Sequence, residues 1–172
     1  MASPVAADPR FLAVSTSFPA PGGAQNLCRD YSWACSAAQK RSLPADYERA
    51  MVWRVNQSVN AATRDVTDLR QYKIEEKWAL PTRLGGDCED FALLKKRELV
   101  RAGVDPRKLL IATVLDRRRN PHAVLVYRSP QGDLVLDNLT NRIKTWTETG
   151  YVFLRMQDPR QPRKWVGIQN RV

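Results

Sequence analysis

Gly85-Gly86-Asp87-Cys88-Glu89-Asp90-Phe91-Ala92 is the stretch on which the reading of this chain turns. Two glycines free the backbone, and Asp87 is a residue type suited to begin a helix. Glu89 and Asp90 then occupy the first turn, where carboxylates complement the helix dipole. Cys88, Phe91, Ala92, Leu99 and Ala102 make one apolar stripe that stops at Gly103. The pattern predicts a helix over 88–102 with Cys88 as its first helical residue. A thiol there sits in the positive field of the helix N-terminus, which favours the reactive thiolate. The close backbone approach that Gly85 and Gly86 allow leaves room for a substrate carbonyl to reach the sulfur.

Upstream, Tyr47, Met51, Val55, Val59, Ala62 and Val66 recur at spacings of four and three, with Asp46 and Glu48 at the start, and predict an amphipathic helix over 44–66. The stretch from Thr67 to Gly86 is polar and irregular, anchored by Trp78 and Pro81. Downstream, short runs of strand character cover Leu109 to Leu115, His122 to Tyr127, Leu134 to Asp137, Tyr151 to Met156 and Trp165 to Ile168. Helices first and strands afterwards define an α+β domain over 44–172, its antiparallel sheet packed against the Cys88 helix. Residues 1–43, rich in Pro, Ala, Ser and Gly without a sustained period, read as an extended N-terminal arm.

A cysteine nucleophile needs a base, and His122 is the single histidine of the chain. It opens a strand that turns through Ser129-Pro130-Gln131-Gly132. If this four-residue loop sets Arg128 opposite Asp133, His122 and Asp137 share a face as diagonal neighbours within side-chain reach. A slip of one residue would separate them. In that register Asp137 can hold the imidazole's tautomer and stabilise the imidazolium. Read separately, His122 is a polar residue at a strand end and Asp137 part of a turn with Asn138; read together, the three residues form a Cys-His-Asp arrangement.

The 172 residues carry a formal charge of +10, which favours acidic partners such as anionic polymers, acidic protein segments or phospholipid headgroups, or serves solubility alone. The basic clusters Lys95-Lys96-Arg97, Arg117-Arg118-Arg119 and Arg160 to Lys164 lack the interleaved aromatics of a single-strand platform, so no nucleic-acid partner is expected. No window approaches the ~20 apolar residues of a membrane-spanning helix, and the N-terminus shows neither a basic nor an apolar leader region. Three cysteines divide into Cys28 and Cys35, seven residues apart, and the distant Cys88. Two plus one reads as a short-loop disulfide and a free thiol in an oxidising compartment, or as three reduced thiols in the cytosol. One histidine and no paired C-x-x-C spacing argue against zinc.

The motif around Cys88, followed by Lys96 and Gly103, then His122-Ala123-Val124-Leu125 and Leu136-Asp137-Asn138-Leu139, resembles the bacterial transglutaminase-like cysteine proteinases. Cys28, Cys35, Trp53, Val55-Asn56, Val59-Asn60, Asp68, Tyr72, Trp78 and Pro81 extend the resemblance from about Cys28 to Gln157. It implies a papain-like, transglutaminase-like fold and a triad of Cys88, His122 and Asp137. It also implies export to the periplasm, cleavage of a large surface adhesin, and control by a membrane receptor that senses a cyclic dinucleotide. Calcium dependence through Asp87 and Glu89 belongs to the same implication. Physically, Asp87, Glu89 and Asp90 surround the thiol with like charge, which a hard cation with oxygen ligands would cancel. Plain capping and dipole complementation remain the alternative. The backbone N–H of Cys88 is the expected oxyanion donor, with the Trp78 region as the second. Amide or acyl transfer, and a non-catalytic binding module that uses its basic face, are the competing functions.

Overall fold

The computed structural model describes residues 8–38 and 41–169. Its centre is a seven-stranded sheet with the order β1-β7-β6-β2-β3-β4-β5, where β1 is Ala13–Phe18, β2 Leu109–Leu115, β3 Pro121–Ser129, β4 Gly132–Leu136, β5 Lys144–Thr145, β6 Val152–Gln157 and β7 Trp165–Gln169. Every neighbouring pair is antiparallel. The helices are α1 Leu27–Asp30, α2 Ala45–Ala62, α3 Asp68–Tyr72, α4 Cys88–Arg101 and α5 Trp146–Thr149. An α+β fold with the Cys88 helix on an antiparallel sheet is therefore what the chain adopts.

Alternation along the strands splits the interior in two. Leu109, Ile111, Leu125, Tyr127 and Leu136 face α2 and α4 and join Val52, Val55, Phe91, Leu93 and Leu99 in one core. Leu110, Ala112, Val114, Val124, Val126, Val135, Phe153 and Met156 form a second cluster on the opposite face, closed by Leu12 and by the half-buried Trp146, Tyr151 and Ile168. Burying both faces accounts for the nearly continuous apolar run of β2, Leu109-Leu110-Ile111-Ala112-Thr113-Val114-Leu115.

Several elements differ from the sequence reading. α2 ends at Ala62 rather than at Val66, because Thr63 turns to extended backbone and sends the chain past Gly86, where Asp65 makes a parallel bridge. Its buried face is Glu48, Val52, Val55, Asn56 and Val59, so Tyr47, expected in the stripe, is 50% exposed. Two polar residues turn inward because each has partners there. Glu48 accepts hydrogen bonds from Lys108 Nζ at 2.9 Å and from Tyr127 Oη at 2.5 Å, and Asn56 donates to the Asn141 carbonyl at 3.1 Å. The irregular 67–86 stretch contains α3.

Residues 13–18, read as part of an extended arm, pair with β7 as an edge strand of the same sheet. Most of that strand is exposed, which removes the alternation that would have marked it. Residues 1–7 and 39–40 of the arm lie outside the described residues. Cys28 and Cys35 are disulfide-bonded with Cα atoms 5.4 Å apart, and Cys88 is the free thiol. Among the described residues no helix is long and apolar enough to cross a membrane. The cluster Lys95-Lys96-Arg97 is not a surface patch, since both lysines are fully buried.

Candidate active site

The Gly85-Gly86 turn places the cysteine. Gly85 has φ of +130°, and a Cβ there would lie 2.2 Å from the Arg64 carbonyl oxygen. A Cβ on Gly86 would meet the Asp90 side chain at 2.6 Å, so both positions exclude a side chain. Gly86 N–H donates to the Arg64 carbonyl at 3.1 Å, and its own carbonyl accepts Val66 N–H at 2.9 Å. These bonds tie the turn before α4 to the strand-like end of the 63–66 segment.

Cys88 opens α4, as expected, and Asp87 occupies the N-cap position. The Asp87 side chain makes no capping bond, however. Its Oδ2 instead accepts the N–H of Asp68, at 3.2 Å, so its carboxylate serves a neighbouring segment rather than its own helix. The Cys88 thiol donates to Glu89 Oε2 at 3.1 Å. Burial pushes this thiol above the ordinary range, and the adjacent Glu89 charge and hydrogen bond add to the rise, while the Ala123 N–H acts against it.

On the sheet, Arg128 stands opposite Asp133, the register needed to bring His122 and Asp137 together. The hairpin is tighter than expected. Ser129 pairs with Gly132, leaving Pro130 and Gln131 as a two-residue loop, and Gly132 takes φ of +137°. The pairing parity is unchanged by this, because both descriptions keep the same opposite residues. His122 Nε2 then lies 2.9 Å from Asp137 Oδ1, with side chains 7% and 4% exposed. Asp137 Oδ1 also accepts Leu139 N–H at 3.1 Å, and Oδ2 accepts the Tyr151 hydroxyl at 2.6 Å. Burial alone would raise the Asp137 pKa; the hydrogen bond and charge of His122, with the Tyr151 and Leu139 donors, outweigh it and hold the carboxyl below its usual range.

Cys88 and His122 line one cleft of about 400 Å³, together with Asp87, Glu89, Trp78 and Ala123. Trp78 borders this cleft, but its indole N–H donates to Glu76 Oε1 at 2.9 Å. Cys88 N–H belongs to the first turn of α4, where backbone donors have no partner within the helix.

Beside the thiol, one carboxylate oxygen each from Asp68, Asp87 and Glu89 lies within 4.8 Å of the others. Burial pushes all three carboxyls upward, Glu89 to about 8; the Asp87 charge adds to the rise of Asp68 and Glu89, while hydrogen bonds from Glu89 and the Asp68 N–H act against the rise of Asp87 itself. Buried Oδ1 atoms of both Asp68 and Asp87 lack a hydrogen-bond partner. Converging, repelling carboxylates with unpartnered oxygens fit a hard divalent cation and suit no soft metal, since neither sulfur nor imidazole is in the group. Asp68 was absent from the ligand pair expected from the sequence. It arrives through the Asp65 to Gly86 bridge, a contact between segments about twenty residues apart that local patterning cannot show.

A thiol at the start of a helix packed on an antiparallel sheet, facing a cleft it shares with a histidine that is bonded to a buried aspartate, defines the transglutaminase-like class of thiol proteins. Residues 14–172 match the model of the bacterial transglutaminase-like cysteine proteinases, and the chain belongs to that family. Among solved structures, calcium-bound LapG of Legionella pneumophila is similar at 28% identity and a TM-score of 0.54, over 63% of this chain and 64% of that one. The EGTA-treated form of the same protein is similar at 25% identity and 0.54, over 63% and 62%. The chain thus spans somewhat under two thirds of the length of these structures. No curated protein shows significant similarity to it.

Proposed function

We propose that the chain is a cysteine endopeptidase in which Cys88 is the nucleophile, His122 the base and Asp137 the residue that orients the base. The observation that carries this reading is that His122, which lines the cleft that holds Cys88, is hydrogen-bonded to the buried Asp137. With Nε2–H donating to ionised Asp137, His122 presents Nδ1 as its basic nitrogen. That nitrogen takes the Cys88 proton, and the sulfur attacks the scissile carbonyl carbon. The electron pair displaced to oxygen is stabilised by the Cys88 N–H, and the region of Trp78 contributes the second donor. On collapse the C–N bond breaks and the imidazolium returns its proton to the departing amine. Water, deprotonated by His122, then cleaves the thioester, releasing the carboxylic acid and restoring the thiol.

Asp68, Asp87 and Glu89 are the residues that would hold calcium. A bound cation supplies positive charge next to the thiol, offsetting the carboxylates that otherwise oppose thiolate formation. The LapG structures in calcium-bound and EGTA-treated forms support calcium as the ion, since they share the fold. The Cys28–Cys35 disulfide supports an oxidising, exported setting such as the periplasm. In that setting a protein substrate is expected. The resemblance of the motifs points to a cell-surface adhesin as that substrate and to a membrane receptor as the regulator.

The test is cleavage of an unfolded protein substrate followed by mass spectrometry of the products, with the wild type and Cys88→Ala compared in calcium and in EGTA. Free new carboxyl termini that require both Cys88 and calcium support the reading. Amine-substituted products would instead assign the site to acyl transfer, and equal cleavage by Cys88→Ala would overturn it.

A further inference from the structure

The geometry points to Tyr151 as a positioning residue for the His122–Asp137 pair, an inference that rests on the triad reading given above. Its hydroxyl donates to Asp137 Oδ2 at 2.6 Å, the oxygen that His122 does not use. Its ring also meets the imidazole edge-on, with centroids 5.9 Å apart and planes at 88°. One side chain therefore touches both members of the pair, restraining the carboxylate by hydrogen bonding and the imidazole by ring contact. His122 gains a fixed plane from Asp137 on one side and from Tyr151 on another.

The chain around Tyr151 is built to hold it. Gly150 turns the backbone through φ of +67° as α5 ends, and Tyr151 N–H donates to Thr149 Oγ1 at 3.1 Å. Arg117, on the loop before β3, donates to the Thr149 carbonyl at 2.7 Å and to the Glu148 carbonyl at 3.1 Å. The loop that leads into His122 is thereby fastened to the turn that carries Tyr151. Burial and the neighbouring Asp137 charge push the phenol's pKa upward, so the hydroxyl stays a donor across the working pH range. The charged groups around this assembly are Asp116, Arg117 and Arg118 on that loop, Lys95 on α4, Arg142 and Lys144 beside Asp137 and Tyr151, and Glu75, Glu76, Asp87 and Glu89 across the cleft from His122.

A donor on Oδ2 draws negative charge away from the oxygen that faces His122. Removing the hydroxyl concentrates that charge on Oδ1 and favours the imidazolium; a more acidic phenol does the reverse. Because His122 is the one histidine, its titration can be followed by NMR in the full chain without interference. Tyr151→Phe is expected to move the imidazole midpoint upward and to lower kcat roughly tenfold, with KM little changed, as loss of one charge-assisted hydrogen bond to the pair predicts. Site-specific replacement of Tyr151 by a ring-fluorinated tyrosine, which keeps the ring and strengthens the donor, is expected to move the midpoint downward. Opposite shifts in the two variants support the inference, and unmoved midpoints with kcat within twofold of wild type overturn it. The titration needs no turnover, so it judges the clamp by itself, while His122→Ala judges the base: full activity in that variant would sink the triad reading and leave the imidazole shifts standing.

Discussion

His122 Nε2 and Asp137 Oδ1 lie 2.9 Å apart although no strand pairing joins the two residues directly, because Asp137 follows the last paired residue of β4. The contact exists only in the register that sets Arg128 against Asp133, and that register is reinforced by a two-pronged ion pair of 2.9 Å between the same two side chains. Hydrogen bonding and burial thus make the dyad a consequence of hairpin geometry.

From that geometry follows an order of severity. Cys88→Ala should reduce peptidase turnover to background, since no second nucleophile opens α4. His122→Ala should be nearly as damaging, with no other histidine available. Asp137→Asn should leave measurable activity, roughly 10²–10⁴-fold below wild type, because the base survives but loses its orientation and its charge partner. Steady-state rates on one substrate check the order, and an Asp137→Asn enzyme at wild-type rate would contradict it.

Calcium should act through three carboxylates, not two. Asp68→Asn is expected to weaken calcium binding as strongly as Asp87→Asn or Glu89→Gln, even though Asp68 lies nineteen positions before Asp87. In wild type, calcium at 100 times its Kd should stabilise the fold by about 2.7 kcal/mol through linkage, and that increment should vanish in each variant. Calorimetric titration and melting curves with and without EGTA measure both effects. An undiminished calcium response in Asp68→Asn would remove Asp68 from the site.

Much of this was visible in the sequence where local pattern and burial coincide. The bounds of β2 expected from its apolar run are those found, and the start of α4 follows from the glycines and acidic residues around Cys88. What escaped was long-range or polar. The inward turn of Glu48 depends on Lys108 and Tyr127, partners sixty or more residues away. Asp68 and Tyr151 reach the site through backbone contacts that periodicity does not encode. The edge strand β1 gave no alternation because little of it is buried. Asp87 stands at the N-cap position that its residue type suggests, but its side chain bonds the Asp68 N–H rather than its own helix, a contact that cannot be read locally.

The disulfide should contribute through the unfolded state and through the loop it shapes. It closes a short loop with a separation of seven, for which chain entropy predicts a contribution of about 2–3 kcal/mol. Inside that loop the Ala34 carbonyl accepts Gln157 Nε2 at 3.0 Å, and Gln157 Oε1 in turn accepts Lys96 Nζ at 2.7 Å and Ile111 N–H at 3.1 Å. Replacing both Cys28 and Cys35 by serine is therefore expected to lower the melting temperature and loosen the Gln157 network. A melting temperature equal to that of the wild type would show that the loop holds its shape without the bond.

The two buried lysines should make stability rise with pH. Burial pushes both ammonium groups down to about 7; in Lys95 the Asp137 charge acts the other way. The unfolded chain keeps them near ~10.4. Between these values the unfolded state binds more protons than the folded one, so unfolding free energy increases with pH through about 7 to 10.4 and the full penalty is present below that window. The two lysines are not equivalent. Lys96 has Gln157 as an acceptor, whereas Lys95 Nζ has no hydrogen-bond partner and is favoured only by the Asp137 charge and by the Phe91 ring at 6.0 Å. Lys95→Met removes an unpartnered polar group while keeping the volume of the side chain, and should stabilise the protein at pH 7 by about 1–3 kcal/mol. Lys96→Met should flatten the pH dependence too, with a smaller gain, because it discards a real hydrogen bond. Urea denaturation at pH 7 and pH 9 measures both the slope and the offsets. A wild type no more stable at pH 9 than at pH 7, or a Lys95→Met variant that is less stable at pH 7, would show that the Lys95 ammonium is held by interactions stronger than its surroundings here provide.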